Sequence, residues 1–364
     1  MAKLFDIFQG VLDPRVDRTK LHKMSDIIFI TIAAVISGAE TWNDIELYGD
    51  TNQTWLGEYL ELPNGIPRHD SFNRFFSAVD PQSMEQSFLD WVSQICSLTK
   101  GDIVSIDGKA LKGSQQRGSK SMVHMVSAWS SANQLSLGQR KVDDKSNEIT
   151  AIPKLLDALS LEGCIVTLDA MGCQVKVAEA IIGKGADYVL ATKGNQGTLL
   201  EGVKDAFRFT KPIDSFIQTG LDHGRIETRT CEVSSELSHI EGANKWSGLQ
   251  TLVKTTSLRH NKSTGKEQSE SRYYISSLPA QAKVIALAIR EHWGIENQLH
   301  WSLDVSFGED RSKKSTGNAP QNFSLINKIA LSLLKKDKST RVGIKSKRLR
   351  AAWDKNYLIN ILNI

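Results

Sequence analysis

The pattern of hydrophobic and polar positions divides the chain into parts with different periods. Residues 1–98 place apolar residues at helical spacing, with helix starts near Thr41 and Pro81, and predict a small all-α N-terminal module. From residue 99 to about residue 335, apolar runs and helical segments follow in the order strand, strand, strand, helix, strand, helix, strand. That order predicts an α/β domain with a mixed central sheet.

Two stretches and one turn depart from this alternation. Between about residues 195 and 278, three segments of strand character are separated by polar loops, which indicates a β-rich insertion. Residues 336–364 form a basic C-terminal segment. In the N-terminal module, the turn-forming run at residues 62–67 precedes a helix that begins near Asp70 with basic neighbours. This arrangement fits either a helix that reads the major groove of DNA or a plain helical packing module.

The composition is that of an ordinary globular protein, with 364 residues, of which 40% are hydrophobic and 24% are charged. The longest apolar run, residues 27–39, is too short to span a bilayer, and nothing directs secretion, so we expect no membrane partner. The four cysteines form no Cys-x-x-Cys pair, which argues against a zinc knuckle or a disulfide framework. We therefore expect reduced thiols and a cytoplasmic protein.

The charge is distributed unevenly, although the net charge is only +4. Residues 311–355 hold thirteen Lys or Arg against two Asp, whereas the rest of the chain holds 32 basic and 39 acidic residues. A mildly acidic body with a strongly basic C-terminal end suggests a polyanionic partner, of which nucleic acid is the commonest. A solvated surface helix is the alternative explanation.

Two carboxylates, Asp107 and Asp169, directly follow short apolar runs that read as buried strands. Ligands gather at the carboxyl ends of the strands in an α/β sheet, although a single such Asp is often a structural cap. Glu296, in a predicted helix beyond the β-rich insertion, adds a third carboxylate. Oxygen ligands of this number suit Mg²⁺ or Mn²⁺, and two such ions can clamp the attacking and leaving oxygens of a phosphoryl displacement. The set therefore indicates phosphodiester chemistry.

The helical stretch around Glu296 carries further candidate chemistry. Helical spacing aligns His292, Glu296 and His300 along one face, with Trp293 and Trp301 beside them. We expect the two tryptophans to pack the helix against the sheet. The same spacing would suit a zinc ion, but a zinc helix would leave the two strand-end carboxylates unexplained.

Several motifs, in order along the chain, are similar to one family. They are Asp107-Gly108-Lys109, Lys141-Val142-Asp143-Asp144-Lys145-Ser146-Asn147-Glu148-Ile149, Asp169-Ala170-Met171-Gly172-Cys173-Gln174, Lys193-Gly194-Asn195-Gln196, His223-Gly224-Arg225-Ile226-Glu227 and residues 290–310. Nearly the whole chain thus resembles the H-repeat-associated, ISAs-type insertion-sequence transposases. The resemblance implies an RNase H-like fold with a β insertion, a DDE triad at Asp107, Asp169 and Glu296, and two bound Mg²⁺ or Mn²⁺ ions.

The sequence departs from related DDE transposases around the last acid. Those with inserted β domains carry a Tyr-x2-Arg-x3-Glu-x6-Lys pattern, whereas this chain has Ile289, His292 and Leu303 at the corresponding positions. Other residues must therefore contact the DNA. The candidates are Lys109, Lys193, Arg225, Arg290, His292, His300, Arg311, Lys313, Lys347, Arg348 and Arg350.

The resemblance implies a DNA transposase that binds the terminal inverted repeats of its own element, cuts there and transfers the freed end to target DNA. Pairing two element ends commonly implies at least a homodimer, although no heptad or apolar stripe marks an interface. We expect the protein to act in the bacterial cytoplasm, on the nucleoid when bound. Two alternatives stay open: a catalytically inactive DNA-binding remnant of such an element, and an unspecific RNase H-like nuclease.

Overall fold

A computed structural model describes residues 7–8, 10–115, 122–143, 148–222, 225–262 and 265–363 of the chain. The N-terminal part is helical, as its periodicity predicts. Its helices are α1 (Met24–Ile36), α2 (Trp42–Thr51), α3 (Gln53–Leu56), α4 (His69–Ala78) and α5 (Pro81–Ile95). The local sequence explains where α2 and α5 begin. Thr41 and Asp44 form a reciprocal capping box at the start of α2, and Asp80 caps α5, which opens with proline.

The rest of the chain is organised around one mixed sheet of nine strands among the described residues. The strands are β1 (Ile103–Leu111), β2 (Val123–Ser130), β3 (Leu135–Lys141), β4 (Ile165–Leu168), β5 (Asp187–Thr192), β6 (Asp214–Asp222), β7 (Arg225–Ser234), β8 (Thr251–Asn261) and β9 (Glu267–Ser276). Their spatial order is β3-β2-β1-β4-β5-β9-β8-β7-β6.

The first five strands have the RNase H-like arrangement that the resemblance implies. The three strands β1 to β3 form an antiparallel meander, and β4 and β5 continue the sheet parallel to β1. Their crossovers are the helices α6 (Glu148–Asp157) and α7 (Val175–Gly183). The predicted α/β fold class, an RNase H-like mixed sheet preceded by a helical module, is confirmed.

The β-rich part between residues 195 and 278 begins with α8 (Gly197–Phe209) and then forms an antiparallel ladder from β6 to β9. The strand β9 pairs with β5 through four residue pairs, from Val189 with Ser276 to Thr192 with Tyr273. The inserted strands therefore extend the central sheet instead of forming a sheet of their own.

Helices cover the sheet and close the chain. They are α9 (Ala282–Gly294), α10 (Trp301–Ser306), α11 (Ala319–Lys336), α12 (Ile344–Trp353) and α13 (Lys355–Leu362), with a π-helical turn at Ile295–His300 between α9 and α10. The helix α9 packs on β1, β4 and the inserted strands. The helix α11 is buried among α1, α4, α5 and β3, and α12 and α13 pack against α1 and α11. One hydrophobic core thus joins the N-terminal helices, the sheet and the C-terminal helices.

The four cysteines are unbridged, in line with the predicted absence of a disulfide framework. Among the described residues, no helix is both long enough and apolar enough to cross a membrane.

Candidate active site

The sheet brings Asp107 and Asp169 to one edge. The last parallel pair between β1 and β4 is Ile106 with Leu168, so the two aspartates occupy the next position on neighbouring strands. Asp107 lies inside β1, which continues to Leu111, whereas Asp169 follows the end of β4. The parallel register of β1 and β4 therefore brings together two acids that are far apart along the chain.

Backbone amides hold the side chain of Asp169 in place. Its Oδ1 accepts hydrogen bonds from the backbone N–H groups of Met171 (3.0 Å) and Gly172 (3.3 Å), which form the short 3₁₀ turn after β4. The loop after β5 supports this turn, because Asn195 Nδ2 donates to the carbonyl of Ala170 at 2.7 Å. The predicted motif at residues 193–196 thus has a structural role beside the Asp169 turn.

Glu296 approaches Asp107 from the π-helical turn, with His300 between them. The Nδ1 of His300 lies 3.4 Å from Asp107 Oδ2 and 3.7 Å from Glu296 Oε2. Ligand atoms of these three residues lie within 4.8 Å of one another, a grouping that does not include Asp169 or His292. A π turn inside a helix is frequent at functional sites, and here it holds Glu296 and His300 against β1.

The electrostatics of the group show two crowded carboxylates. Burial, and then the adjacent Glu296 carboxylate, raise the pKa of Asp107 to about 8. The adjacent His300 ring lowers the pKa of Glu296 to about 2. The Oδ2 of Asp107 and the Nε2 of His300 are buried without a hydrogen-bond partner in the described structure. Crowded carboxylates and unsatisfied polar atoms of this kind fit a site for a cation.

A layer of hydrogen bonds underlies the three acids. Thr167 Oγ1 donates to Ser105 Oγ at 3.2 Å and lies 2.9 Å from His292 Nδ1. Because the single hydroxyl hydrogen of Thr167 is engaged by Ser105, the Nδ1–H of His292 donates to Thr167. Burial lowers the pKa of His292, which favours the neutral ring. The ring therefore ties α9 to the sheet. His292 is not part of the cation group among the described residues, and its predicted DNA contact stays a prediction.

Two cavities adjoin the acids. The larger, of about 920 Å³, is lined by Asp107, Asp169, Lys193, His292, Glu296 and His300 among others. The smaller, of about 180 Å³, lies between α9 and the inserted strands and is lined by Arg229, Arg259, Arg272 and Arg290. The two cavities share walls formed by Glu270, Arg272, Tyr274, Ile289 and Trp293. Arg259 and Arg272 were not selected from sequence, since only the pairing of β7, β8 and β9 brings them to this place.

Three predicted DNA contacts are corrected by the structure. Lys109 is largely buried, and its Nζ forms ion pairs with Asp304 (2.5 Å) and Glu309 (2.9 Å). Lys347 is buried and donates to the carbonyls of Leu334 (2.9 Å) and Asp337 (2.6 Å).

Arg348 is buried as well, and its guanidinium donates to the carbonyls of Val35, Ala39 and Ser306. These carbonyls lie at or beyond the C-terminal ends of α1 and α10, where a positive charge is favourable, so Arg348 binds acceptors at the ends of both helices. Lysine and arginine side chains engaged in this way cannot reach a phosphate without being extracted from the core.

The remaining candidates occupy different positions. Lys193 and Arg290 are exposed at the larger and the smaller cavity respectively. Arg311, Lys313 and Arg350 are exposed elsewhere on the surface.

Arg225 begins β7, and its side chain lies outside the described residues, as do His223 and Gly224 and residues 144–147 of the quoted motifs. The expectation for Arg225 stays a prediction.

Comparisons with known proteins agree with these features. A family model described as the transposase DDE domain matches residues 98–333, and its associated N-terminal model, DDE_Tnp_1-associated, matches residues 5–92. The chain is 41% identical, over its whole length, to the Escherichia coli (strain K12) protein named "H repeat-associated putative transposase YhhI", and it covers 98% of that protein. It is 42% identical to the "Putative transposase YncI" of Escherichia coli O157:H7, again over the whole chain and 95% of that protein.

A solved structure of the piggyBac transposase synaptic complex with hairpin DNA aligns with 99% of this chain and 80% of its own, at 11% identity and a TM-score of 0.46. The family assignment rests on the family model and on the full-length relatives. On these matches, this chain belongs to the DDE transposases, in the H-repeat-associated group that its motifs resemble.

Proposed function

We propose that this chain binds the terminal inverted repeats of its own insertion element and catalyses metal-dependent strand cleavage and strand transfer, with Asp107, Asp169 and Glu296 as the catalytic acids. The observation that carries the proposal is the group of Asp107, Glu296 and His300 at the sheet edge beside Asp169. Membership of the DDE transposase family supports the same chemistry.

The donor set fits a divalent cation. Asp107 and Glu296 would hold the ion together with the adjacent His300, since Asp107 Oδ2 is buried without a partner and all three offer atoms within 4.8 Å of one another. Carboxylate oxygens favour Mg²⁺ or Mn²⁺. A bound ion would supply positive charge to the phosphodiester during its displacement. We assign a second ion to the side of the site that Asp169 occupies.

The reaction consists of two displacements at phosphorus. In cleavage, a water oxygen forms a bond to the phosphorus, and the P–O3′ bond breaks to leave a 3′-hydroxyl and a 5′-phosphate. In transfer, that 3′-hydroxyl attacks a phosphodiester of the target strand, and a second 3′-hydroxyl leaves. Neither step needs a covalent enzyme intermediate. The Glu296 side chain, 55% exposed, presents one carboxylate to the substrate side, whereas Asp107, 13% exposed, lies beneath it.

The DNA would lie along the larger cavity and the adjoining arginine-lined cavity. Lys193 and Arg290 are exposed at their rims, and Arg229, Arg259 and Arg272 line the walls. Arginines recognise phosphate through their planar, multiple donors. Arg311, Lys313 and Arg350 stay candidates for contacts farther from the acids. We expect at least two copies to hold the paired ends.

The test is nicking of DNA that carries the inverted repeats flanking the gene, in the presence of Mg²⁺. Asp169→Asn and Glu296→Gln should abolish nicking, because each removes a charge from the cation site. The control is Glu58→Gln, which neutralises an exposed carboxylate in the N-terminal helical part. Thermal unfolding should show that all variants stay folded.

The outcomes separate the alternatives. Nicking by folded Asp169→Asn would contradict the assignment of the acids. Binding of the ends without cleavage in Mg²⁺ or Mn²⁺ would identify a DNA-binding remnant instead. Cleavage without strand transfer, and without dependence on the repeats, would indicate an unspecific nuclease.

A further inference from the structure

A fourth carboxylate reaches the candidate active site from α6. The residue after Asp107 is Gly108, and a Cβ added there would overlap the carboxylate of Glu148, with Glu148 Oε2 only 2.6 Å away. The first residue of α6 therefore places its carboxylate in the space that a side chain on β1 would fill. The glycine in the Asp107-Gly108-Lys109 motif is what allows this approach.

Glu148 also faces the Asp169 side of the site. The helix α6 packs against the 3₁₀ turn at Ala170–Gly172, whose start is capped by Asp169. Burial, and then the negative charge of Asp169, raise the pKa of Glu148. Within the described part of the chain, no Lys or Arg forms an ion pair with Glu148. The charge of the nearby His124 acts in the opposite direction on the pKa of Glu148. Two carboxylates are thus held near each other with no paired Lys or Arg among the described residues.

The site as a whole has the features of a cation site independently of Glu148. The His300 side chain is only 7% exposed, its Nε2 lacks a partner, and its Nδ1 faces Asp107 and Glu296. That group does not include Asp169. The acids therefore fall into two sets, one formed by Asp107, Glu296 and His300 and the other by Asp169 and Glu148.

We propose that Glu148 is a fourth acid of the active site and that, with Asp169, it forms the second of two divalent-cation positions. This inference rests on the proposed function, because it assigns a ligand within the same site. It explains why Asp169 lies outside the compact group, although the family pattern names it with Asp107 and Glu296. It also gives Glu148 a role that the three-acid pattern leaves open.

The experiment is a calorimetric titration of the full chain with Mn²⁺, without DNA. The wild-type protein should bind two equivalents, and Glu148→Gln should bind one. Gly108→Ala should lose the same equivalent, because the added methyl group displaces the flexible end of Glu148 without changing any charge. Glu296→Gln should lose the other equivalent, and the exposed control Glu58→Gln should keep both.

Thermal unfolding of each variant without metal accompanies the titration, and Gly108→Ala provides the test if Glu148→Gln does not fold. Two equivalents bound with wild-type affinity by either Glu148→Gln or Gly108→Ala would overturn the inference, as would a wild-type protein that binds fewer than two. These results are distinguishable from a failure of the proposed function, which is measured by nicking of the repeat DNA. A wild-type protein that nicks DNA while Glu148→Gln keeps both ions would leave the function standing and remove Glu148 from the site.

Discussion

Three hydrogen-bonded side chains, Ser105, Thr167 and His292, lie behind the acids of the active site and position them. Ser105 and Thr167 lie two residues before Asp107 and Asp169 on their strands, and the period of two places them on the same faces of the sheet. His292 lies four residues before Glu296, with its ring bonded to Thr167. The hydroxyl of Thr167 therefore sets the distance between the helix and the two strands that carry the acids.

Substituting Thr167→Val should slow strand cleavage by about 10- to 100-fold, the range typical of groups that orient metal ligands. Valine has the shape of threonine but cannot bond to His292 or Ser105, so α9 would lose its fixed position over β4. Thr167→Ser, which keeps the hydroxyl, should restore most of the rate. The measurement is the single-turnover nicking rate, together with the affinity for the repeat DNA, which should stay unchanged. Equal rates for the valine and serine variants would contradict this positioning role.

Some of the active-site residues were predictable from the sequence, and others were not. Asp107 and Asp169 were predictable as candidates because each follows a short apolar run, but their alignment depends on the pairing of β1 with β4, which joins residues far apart along the chain. The contact of His300 with Asp107 was not predictable, since helical spacing assumes regular α-helix and the stretch forms a π turn. The position of Glu148 depends on the packing of α6 over Gly108, which no local pattern encodes.

Among the elements, the inserted strands differ most from their prediction. The strand character of β7, β8 and β9 was readable from composition, whereas β6 was not predicted. The attachment of the inserted strands was not predictable either, because β5 and β9 are separated by more than 70 residues along the chain. Pairing over such a distance depends on the tertiary structure. By joining the central sheet at β5, the ladder places its arginines beside α9 and against the cavity of the acids.

The arginine-lined cavity carries more positive than negative charge. Arg229 and Arg259 both pair with Glu227, and Arg272 pairs with Glu270 at 2.8 Å. Arg290 has no acidic partner among the described residues, and burial, followed by the charge of Arg290, lowers the pKa of Arg229. Guanidinium groups that repel one another in a cavity are arranged for an anion such as a DNA phosphate.

Substituting Arg229→Gln should weaken binding of the repeat DNA and reduce the slope of log affinity against log salt by about 1, because one phosphate contact is lost. The matched control is Arg208→Gln, which removes the same charge from an exposed position on α8. Affinity would be measured by fluorescence anisotropy across a series of salt concentrations. Equal effects of the two substitutions would show that total charge, and not this cavity, governs binding.

The helices from the N-terminal and C-terminal parts of the chain pack together in one layer. The C-terminal helices α11 and α12 pack on α1, and cations at these junctions are turned inward. Arg348 binds the carbonyls of Val35, in the last turn of α1, and of Ala39, just beyond it, and Lys328 is buried with its Nζ 2.8 Å from Gln139 Oε1. Part of the basic charge that the sequence assigned to DNA therefore stabilises the fold. The number of charges along the chain does not distinguish residues that contact DNA from residues that stabilise the fold, because burial depends on how helices distant in sequence pack together.

Lys314 makes this internal use of charge testable. It lies in the loop before α11, donates from Nζ to the carbonyl of Glu40 at 2.6 Å, and sits 3.6 Å from the centre of the Phe323 ring. Burial lowers the pKa of Lys314 from 10.5 to about 7. Between these two values the unfolded chain binds more protons than the folded one, so stability should rise with pH across that window. One group can contribute up to about 1.4 kcal/mol per pH unit to this rise.

Substituting Lys314→Met should therefore flatten the increase of the unfolding midpoint between about pH 7 and about pH 9.5, because methionine fills a similar volume without titrating. The effect is a reduced slope, since burial also lowers the pKa values of Lys328 and Lys335, to about 8 in each case. Thermal unfolding at a series of pH values measures it. The control is Lys313→Met, which removes the neighbouring, exposed lysine and should keep the wild-type slope. A Lys314→Met slope equal to that of wild type would mean that Lys314 keeps an ordinary pKa and that its charge is exposed to water in the folded protein.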